Sequence, residues 1–451
     1  MADVKTMRDQ ELIYQLDGKP SLGVAIPLGM QHVLAMFIGN IAPIIIITNL
    51  LGIPQEQKVI MLQCAMIFAG LVTLVQIYPI GPVGARLPIV VGTSFAFVPS
   101  AIAVGKAYGI AAILCASFIG SFAALLLGIF IKNLRRFFPP LVTGTVLIAI
   151  GLSLMPVGVN YFAGGVGKPD YGSPENLLLG FIVLITVILL QRFAKGILNV
   201  AAILIALVLG YLIAIPMGKV DFNVVAQAAW ISFPRPLMFG FEFHLDAVIK
   251  FAIVYLIVAL EIIGNLSAIT FVAENREANE REMGGAIIAD ALGSALAALF
   301  NSMPLNSYGQ NAGIIALTRV VNRFAVATGA IFLILAGIIP KVGAVAAAMP
   351  PSVLGGAVII VFAMIMITGM KMIASSGFTP RNTTILAIAF GVGLSFSFVP
   401  AAVEHMPGFL KAFLEDGVVA AGILALILNA VFPEDKKEAA VKVEAAAQTA
   451  H

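Results

Sequence analysis

The chain has 451 residues, of which 60% are hydrophobic and only 11% charged, and its formal net charge is +3. Soluble domains run near ~45–50% apolar and ~25% charged, so a soluble globular protein, a coiled coil and a disordered chain are excluded, and so small a charge leaves no nucleic-acid footprint. Lipid is the solvent this chain calls for: a spanning helix takes ~20 mostly apolar residues, and a mean hydropathy of +1.04 leaves room for many.

Residues 1–21 are polar, carry Lys5, Arg8 and Lys19, show no cleavable signal peptide and read as a cytoplasmic tail. Fourteen apolar segments follow, at 22–48, 57–78, 87–105, 109–131, 139–161, 174–192, 197–216, 245–272, 284–302, 303–319, 323–345, 351–373, 380–399 and 410–432. Residues 433–451 are a polar, alanine-rich tail, too short for a further domain. The longest interruption, 217–244, holds the only tryptophan, Trp230, and splits the chain into two sets of seven segments, 22–216 and 245–432. If the N-terminus is inside, eighteen Lys and Arg fall on the inner side and eight on the outer. That excess places both termini in the cytoplasm of a plasma (inner) membrane protein, with 217–244 as an extracellular or periplasmic connection. Cys64 and Cys115 lie within apolar segments and read as packing residues, with no disulfide framework and no metal site.

The two sets resemble each other. Ile38-Gly39-Asn40 recurs as Ile263-Gly264-Asn265, 225 positions on; Pro139-Pro140-Leu141-Val142-Thr143-Gly144 recurs as Pro350-Pro351-Ser352-Val353-Leu354-Gly355, 211 on; Leu87-Pro88 recurs as Met303-Pro304, 216 on. With seven spans in each repeat the second copy is inverted, and inverted repeats are the signature of secondary transporters. The fold expected is an all-α integral membrane protein of fourteen transmembrane segments in two inverted repeats of seven.

Segments three and ten break this regularity. Leu87-Pro88-Ile89-Val90-Val91 is β-branched and proline-containing, and Gly92-Thr93-Ser94 precedes Phe95; the counterpart is Met303-Pro304-Leu305-Asn306-Ser307-Tyr308-Gly309 before Gln310. Each predicts a short extended stretch, a turn and a half-helix. Broken spans at corresponding positions mark a substrate site, because half-helix N-termini present free N–H groups at mid-membrane. Irregular backbone at that depth is tolerated only where protein buries it or a cavity adjoins it.

Few charges lie deep in the apolar segments. Glu261 and Asp290 are the two carboxyl groups that do, at a cost of ~2.5–3.5 kcal/mol for an ionised Asp at the bilayer centre. Each is therefore kept for substrate contact, for carrying a proton, or for a helix-to-helix hydrogen bond. His32 is the one histidine well inside a segment and reads as a supporting residue, with Gln31 facing elsewhere. Asn265, four residues after Glu261, shares its helix face and either orients the carboxylate or packs. No catalytic constellation, phosphate loop or metal-ligand spacing is present, so neither an enzyme nor a cofactor is expected.

Gln310-Asn311-Ala312-Gly313-Ile314-Ile315-Ala316-Leu317-Thr318-Arg319 resembles the signature of the nucleobase–ascorbate transporter family, the second type of nucleobase–cation symporter. That signature is Gln, Glu or Pro, then Asn, any residue, Gly, four of any kind, Thr, and Arg, Lys or Gly. Gln31-His32, Gly92-Thr93-Ser94-Phe95 and Glu261 also resemble family motifs, and the likeness runs from about residue 20 to 432. It implies a mobile core of segments 1–4 and 8–11 and a gate of segments 5–7 and 12–14 that dimerises. It also implies elevator-type alternating access and import of a purine nucleobase with H⁺, in preference to Na⁺. By the same resemblance Glu261 and Gln310 bind the base, Phe95 and Gly309 add backbone contacts, and Ala96 leaves room for an oxygen at purine C8. Asp290, His32, Asn311, Asn265 and Thr93 would support the site or couple the proton. Uracil-type members carry Glu at the first signature position, whereas xanthine and uric acid transporters carry Gln, so Gln310 points to an oxidised purine. Asn265 departs from the Asp or His that members often carry there, which removes one candidate proton carrier. The alternatives are a uracil or other nucleobase permease, a sulfate-permease-like anion carrier, for which the short tail offers no regulatory domain, and a channel, which would need a continuous polar stripe.

Overall fold

A computed structural model describes residues 11–134, 139–318 and 320–433. In chain order its main elements are α1 (Leu22–Leu50), α2 (Gln55–Ile77), β1 (Val91–Thr93), α3 (Val98–Tyr108), α4 (Ile110–Ile129), α5 (Pro140–Phe162), α6 (Pro174–Phe193), α7 (Ala202–Ala214), α8 (Leu245–Glu274), α9 (Glu280–Leu299), β2 (Leu305–Ser307), α10 (Gly309–Thr318), α11 (Arg323–Ile338), α12 (Pro340–Ala347), α13 (Pro351–Ser376), α14 (Pro380–Gly393) and α15 (Gly417–Val431). Among the described residues eight helices, α1, α2, α4, α5, α6, α8, α9 and α13, are long and apolar enough to cross a membrane. The chain is a multi-pass membrane protein, and its described residues are helical apart from loops and two three-residue strands.

Local chemistry sets several helix starts. Ser173 caps α6 and Thr379 caps α14, each followed by a proline, a residue whose missing N–H costs nothing at a first helical position. Asn279 and Glu282 form a reciprocal capping box at α9. The apolar run 323–345 reads as one span in the sequence, but α11 and α12 bend by 82° across Ile339. Pro340 explains the bend: it has no N–H to donate back into α11, and it drives Ile339 to an extended backbone, φ −99° and ψ 97°.

The described residues divide into two compact units, the first within Met1–Lys132 and Met155–Val361, the second within Asn133–Leu154 and Phe362–His451. In the first, α11 packs on α1 and α2, and α4 packs on α8 and α9. Lipid tails are as apolar as leucine, so these contacts rest on close packing rather than on a hydrophobic drive. Glycines set the approach: a Cβ on Gly329 would lie 2.5 Å from the Gly29 carbonyl oxygen, and one on Gly284 would lie 2.8 Å from that of Gly128. Val33, Met36, Ala69, Val90, Tyr308 and Val326 belong to the buried cluster beneath the first of these layers. The chain before α1 is tied to it, with Asn322 Nδ2 donating to the Gly18 carbonyl at 2.8 Å and Arg323 paired with Asp17. The second unit packs α14 on α15, around Leu141, Ile148, Ile373, Ile385 and Ala425.

Gly329→Ala is expected to force α1 and α11 apart and to destabilise the protein by about 1–3 kcal/mol. Gly23→Ala, in the same helix as Gly29 but with nothing within 4 Å of the added carbon, is the control. Thermal unfolding in detergent that gives the two variants equal midpoints would contradict this packing.

Candidate functional site

The site is built around β1 and β2. They pair antiparallel, Val91 with Ser307, Gly92 with Asn306 and Thr93 with Leu305. Two flanking bonds extend the ladder: Ser94 N–H donates to the Pro304 carbonyl and Tyr308 N–H to the Val90 carbonyl, both at 2.9 Å. Each strand runs into a half-helix, β1 through the 3-10 turn Phe95–Phe97 into α3 and β2 through Tyr308 into α10. Side chains from the helices complete the pairing. Asn40 Oδ1 accepts from Thr93 N–H at 2.9 Å, Thr73 Oγ1 from Val91 N–H at 3.0 Å, and Ser294 Oγ from Leu305 N–H at 2.9 Å. The Tyr308 hydroxyl donates to the Thr93 carbonyl at 2.6 Å, and the Thr93 hydroxyl donates to the Asn40 carbonyl. Gly92 is required here, since a Cβ would lie 2.7 Å from the Tyr308 ring and 2.9 Å from Asn40 Oδ1.

Successive side chains on a strand point to opposite faces, and β2 uses this to reach both intramembrane carboxylates. Asn306 turns to α8, where its Nδ2 donates to Glu261 Oε2 at 2.8 Å. Ser307 turns to α9, where its Oγ donates to Asp290 Oδ2 at 2.8 Å. The surroundings of the two acids differ. Asp290 is buried, and its second oxygen accepts from Gln76 Nε2 at 2.7 Å. Glu261 has one hydrogen-bond partner among the described residues, Asn306. It also lies on the one face of α8 that stays open: between Ile257 and Thr270 the positions that are not buried are Glu261, Gly264, Asn265, Ser267 and Ala268. Nothing lies within 4 Å of a Cβ placed on Gly264.

The other residues singled out in the sequence divide into two groups. Asn265 does not bond Glu261; its Nδ2 donates to the Ser307 carbonyl at 2.9 Å, and its Oδ1 would be 2.7 Å from a Cβ on Gly309. Glu261, Asn265 and Gly309 are thus gathered where α10 begins, and the N-terminus of that helix offers N–H groups and a partial positive charge. Asn311 Nδ2 lies 3.0 Å from His32 Nδ1 and 3.2 Å from its carbonyl, so this pair joins α10 to α1. Phe95 and Ala96 are buried at the start of the other half-helix, where Ala96 N–H donates to Ser94 Oγ at 3.3 Å. Gln310 is the second residue of α10, and its side chain lies outside the described residues. Among the described residues no three His, Cys, Asp or Glu side chains are grouped to hold a metal ion. Asn306, Ser307, Tyr308, Gln76 and Asn40 also bond into this arrangement, though sequence reasoning gave none of them a site role. A polar side chain inside an apolar stretch was the available signal for Gln76 and Asn40, and Asn306 lay within the broken segment itself.

Residues 23–402 match the Permease family. A putative purine permease of Clostridium perfringens is 38% identical over 423 residues, covering 94% of this chain and 93% of that protein. The xanthine permease of Bacillus subtilis is 34% identical, with 94% and 97% covered, and a uric acid transporter of Escherichia coli is 34% identical, with 93% and 88% covered. In fold the chain is similar to the murine Solute Carrier 26 family member A9 anion transporter in its inward-facing state, at a TM-score of 0.62 and 11% identity over 92% of this chain and 70% of that one. These relatives are permeases and not enzymes, and the chain belongs to the Permease family, the nucleobase–ascorbate transporters.

Proposed function

We propose that the chain imports an oxidised purine nucleobase, xanthine or uric acid, across the plasma membrane together with H⁺. The observation that carries this reading is Glu261: a carboxylate on the open face of α8, beside the start of α10, held by a single amide. A purine of this class is planar, with ring N–H donors alternating with carbonyl acceptors along its edge. Glu261 accepts from a ring N–H, and Gln310 offers a donor and an acceptor side by side. The backbone at Phe95 and at Gly309 adds N–H or C=O contacts to the ring's edge, while the Phe95 side chain flanks the ring. Ala96, a small residue, leaves space for the C8 oxygen of uric acid. Relatives whose names specify xanthine and uric acid support the same class, and Gln310 rather than Glu speaks against uracil.

The supporting residues have separate tasks. Asp290, with a protein donor on each oxygen, holds β2 in place and is the second candidate for the proton. Asn265 holds the Ser307 carbonyl, His32 and Asn311 hold α10, and the Thr93 hydroxyl ties β1 to the Asn40 carbonyl. The proton neutralises Glu261, which lowers the cost of moving the loaded site through hydrocarbon. Fourteen segments in two inverted repeats, with both termini cytoplasmic, give a core of segments 1–4 and 8–11 that moves as an elevator. A gate of segments 5–7 and 12–14 pairs with that of a second copy and stays still. Cross-linking in native membranes that found monomers alone would remove the dimer.

Glu261→Gln is expected to reach the membrane and to lose accumulation of labelled xanthine against a gradient. Asp290→Asn, which sets an NH₂ against the donors of Gln76 or Ser307, is expected to lower thermal stability first and to leave residual uptake sensitive to a proton uncoupler. Uncoupler-sensitive accumulation by Glu261→Gln would move the proton to Asp290. Gln310→Glu is expected to weaken xanthine binding by about 0.5–1.5 kcal/mol with the protein still inserted, and an unchanged affinity would take Gln310 out of the site.

A further inference from the structure

Asn306 is 4% exposed, and its two polar atoms are in unequal positions. Nδ2 donates to Glu261 Oε2 at 2.8 Å. Oδ1 is buried and has no hydrogen-bond partner among the described residues. Such an orphan is costly, and a native structure keeps few of them. The amide is not free to turn round while Glu261 is ionised, because the reversed orientation would set Oδ1 against a carboxylate oxygen, one acceptor against another. The strand fixes the rest of the geometry. Ser307, next along β2, is committed to Asp290 on the other face, so Asn306 alone of the β2 side chains stands with Glu261. Oδ1 is joined through one carbon to the nitrogen that bonds Glu261, so a ring whose N–H reaches Glu261 brings its neighbouring edge atoms to Asn306.

We propose that Asn306 is a specificity-determining residue whose Oδ1 accepts a hydrogen bond from a second ring N–H of the carried base, beside the N–H taken by Glu261. The proposal rests on Glu261 being the substrate-binding carboxylate. It makes the site an acceptor pair that selects a heterocycle with two ring N–H donors on one edge, on either side of a carbonyl. Xanthine and uric acid have such edges. Hypoxanthine presents an unprotonated ring nitrogen where xanthine presents N3–H, and against Oδ1 that nitrogen would leave two acceptors facing each other. A site built to hydrogen-bond a donor rejects the analogue that lacks it far more strongly than a shape-matched apolar pocket would.

The test uses the full chain in cells and competes labelled xanthine uptake with xanthine, hypoxanthine and the 1-, 3-, 7- and 9-methylxanthines. The variants are Asn306→Ala, Asn306→Ser and Glu261→Gln, the last scored by binding alone. Asn306→Ser keeps a small polar side chain on the strand and removes the amide oxygen, so it guards against a fold lost in Asn306→Ala. Wild type is expected to penalise methylation at two or more ring nitrogens. Each Asn306 variant is expected to bind xanthine about three- to tenfold more weakly and to lose the penalty at one of those nitrogens while keeping the other. Glu261→Gln is expected to lose the penalty at the other nitrogen. Equal weakening of every analogue, complete loss of binding with the protein in the membrane, or an unchanged profile would overturn the role of Asn306 and leave Glu261 in its place. If no purine competes in wild type, the reading of the whole site fails, and this proposal fails with it.

Discussion

A backbone N–H or C=O in hydrocarbon has no water to turn to, so every break in a membrane helix must find partners within the protein. β1 and β2 answer that demand for each other. Three register pairs and two flanking bonds satisfy the chain on both sides of the breaks, and Asn40, Thr73 and Ser294 take N–H groups the ladder leaves over. The half-helices can then begin inside the packed first unit. Glycine at 92 and 309 follows from the same constraint, because Tyr308 and Asn265 occupy the space a side chain would need.

The strand has a second consequence. Its alternation sends neighbouring residues to different acids, Asn306 to Glu261 and Ser307 to Asp290. One carboxylate is closed, buried with a protein donor on each oxygen, and the other is open on a helix face with spare accepting capacity. A group that must take up and release a ligand needs that spare capacity, since an acid already satisfied by protein donors gains little from a new one. On the proposed reading, a three-residue strand draws the division of work between substrate and scaffold.

Much of this was legible in the sequence because it rests on composition and local chemistry. Apolar length gave the eight long helices, Leu87-Pro88 and Met303-Pro304 gave the breaks, and the cost of burying a charge drew attention to Glu261 and Asp290. The pairings were not legible, because the partners are far apart in sequence. Asn306 lies 45 residues from Glu261, Gln76 lies 214 from Asp290, and Tyr308 lies 215 from Thr93. Asn265 was misleading for the same reason. Helical spacing places it on the face of Glu261, but the Ser307 carbonyl, reached only through the tertiary fold, is the acceptor that claims it. The bend at Ile339 was hidden by hydropathy, which does not register that Pro340 interrupts a continuous apolar run.

The central claim is that the open carboxylate, and not the closed one, faces the substrate. A cryo-electron microscopy structure of the full chain in lipid nanodiscs with xanthine bound tests it most directly. The account predicts ring density beside the start of α10, with one N–H bonded to Glu261 and Asp290 still held by Gln76 and Ser307. Ring density bonded to Asp290, or lodged away from both strands with Glu261 still bonded to Asn306 alone, would contradict it.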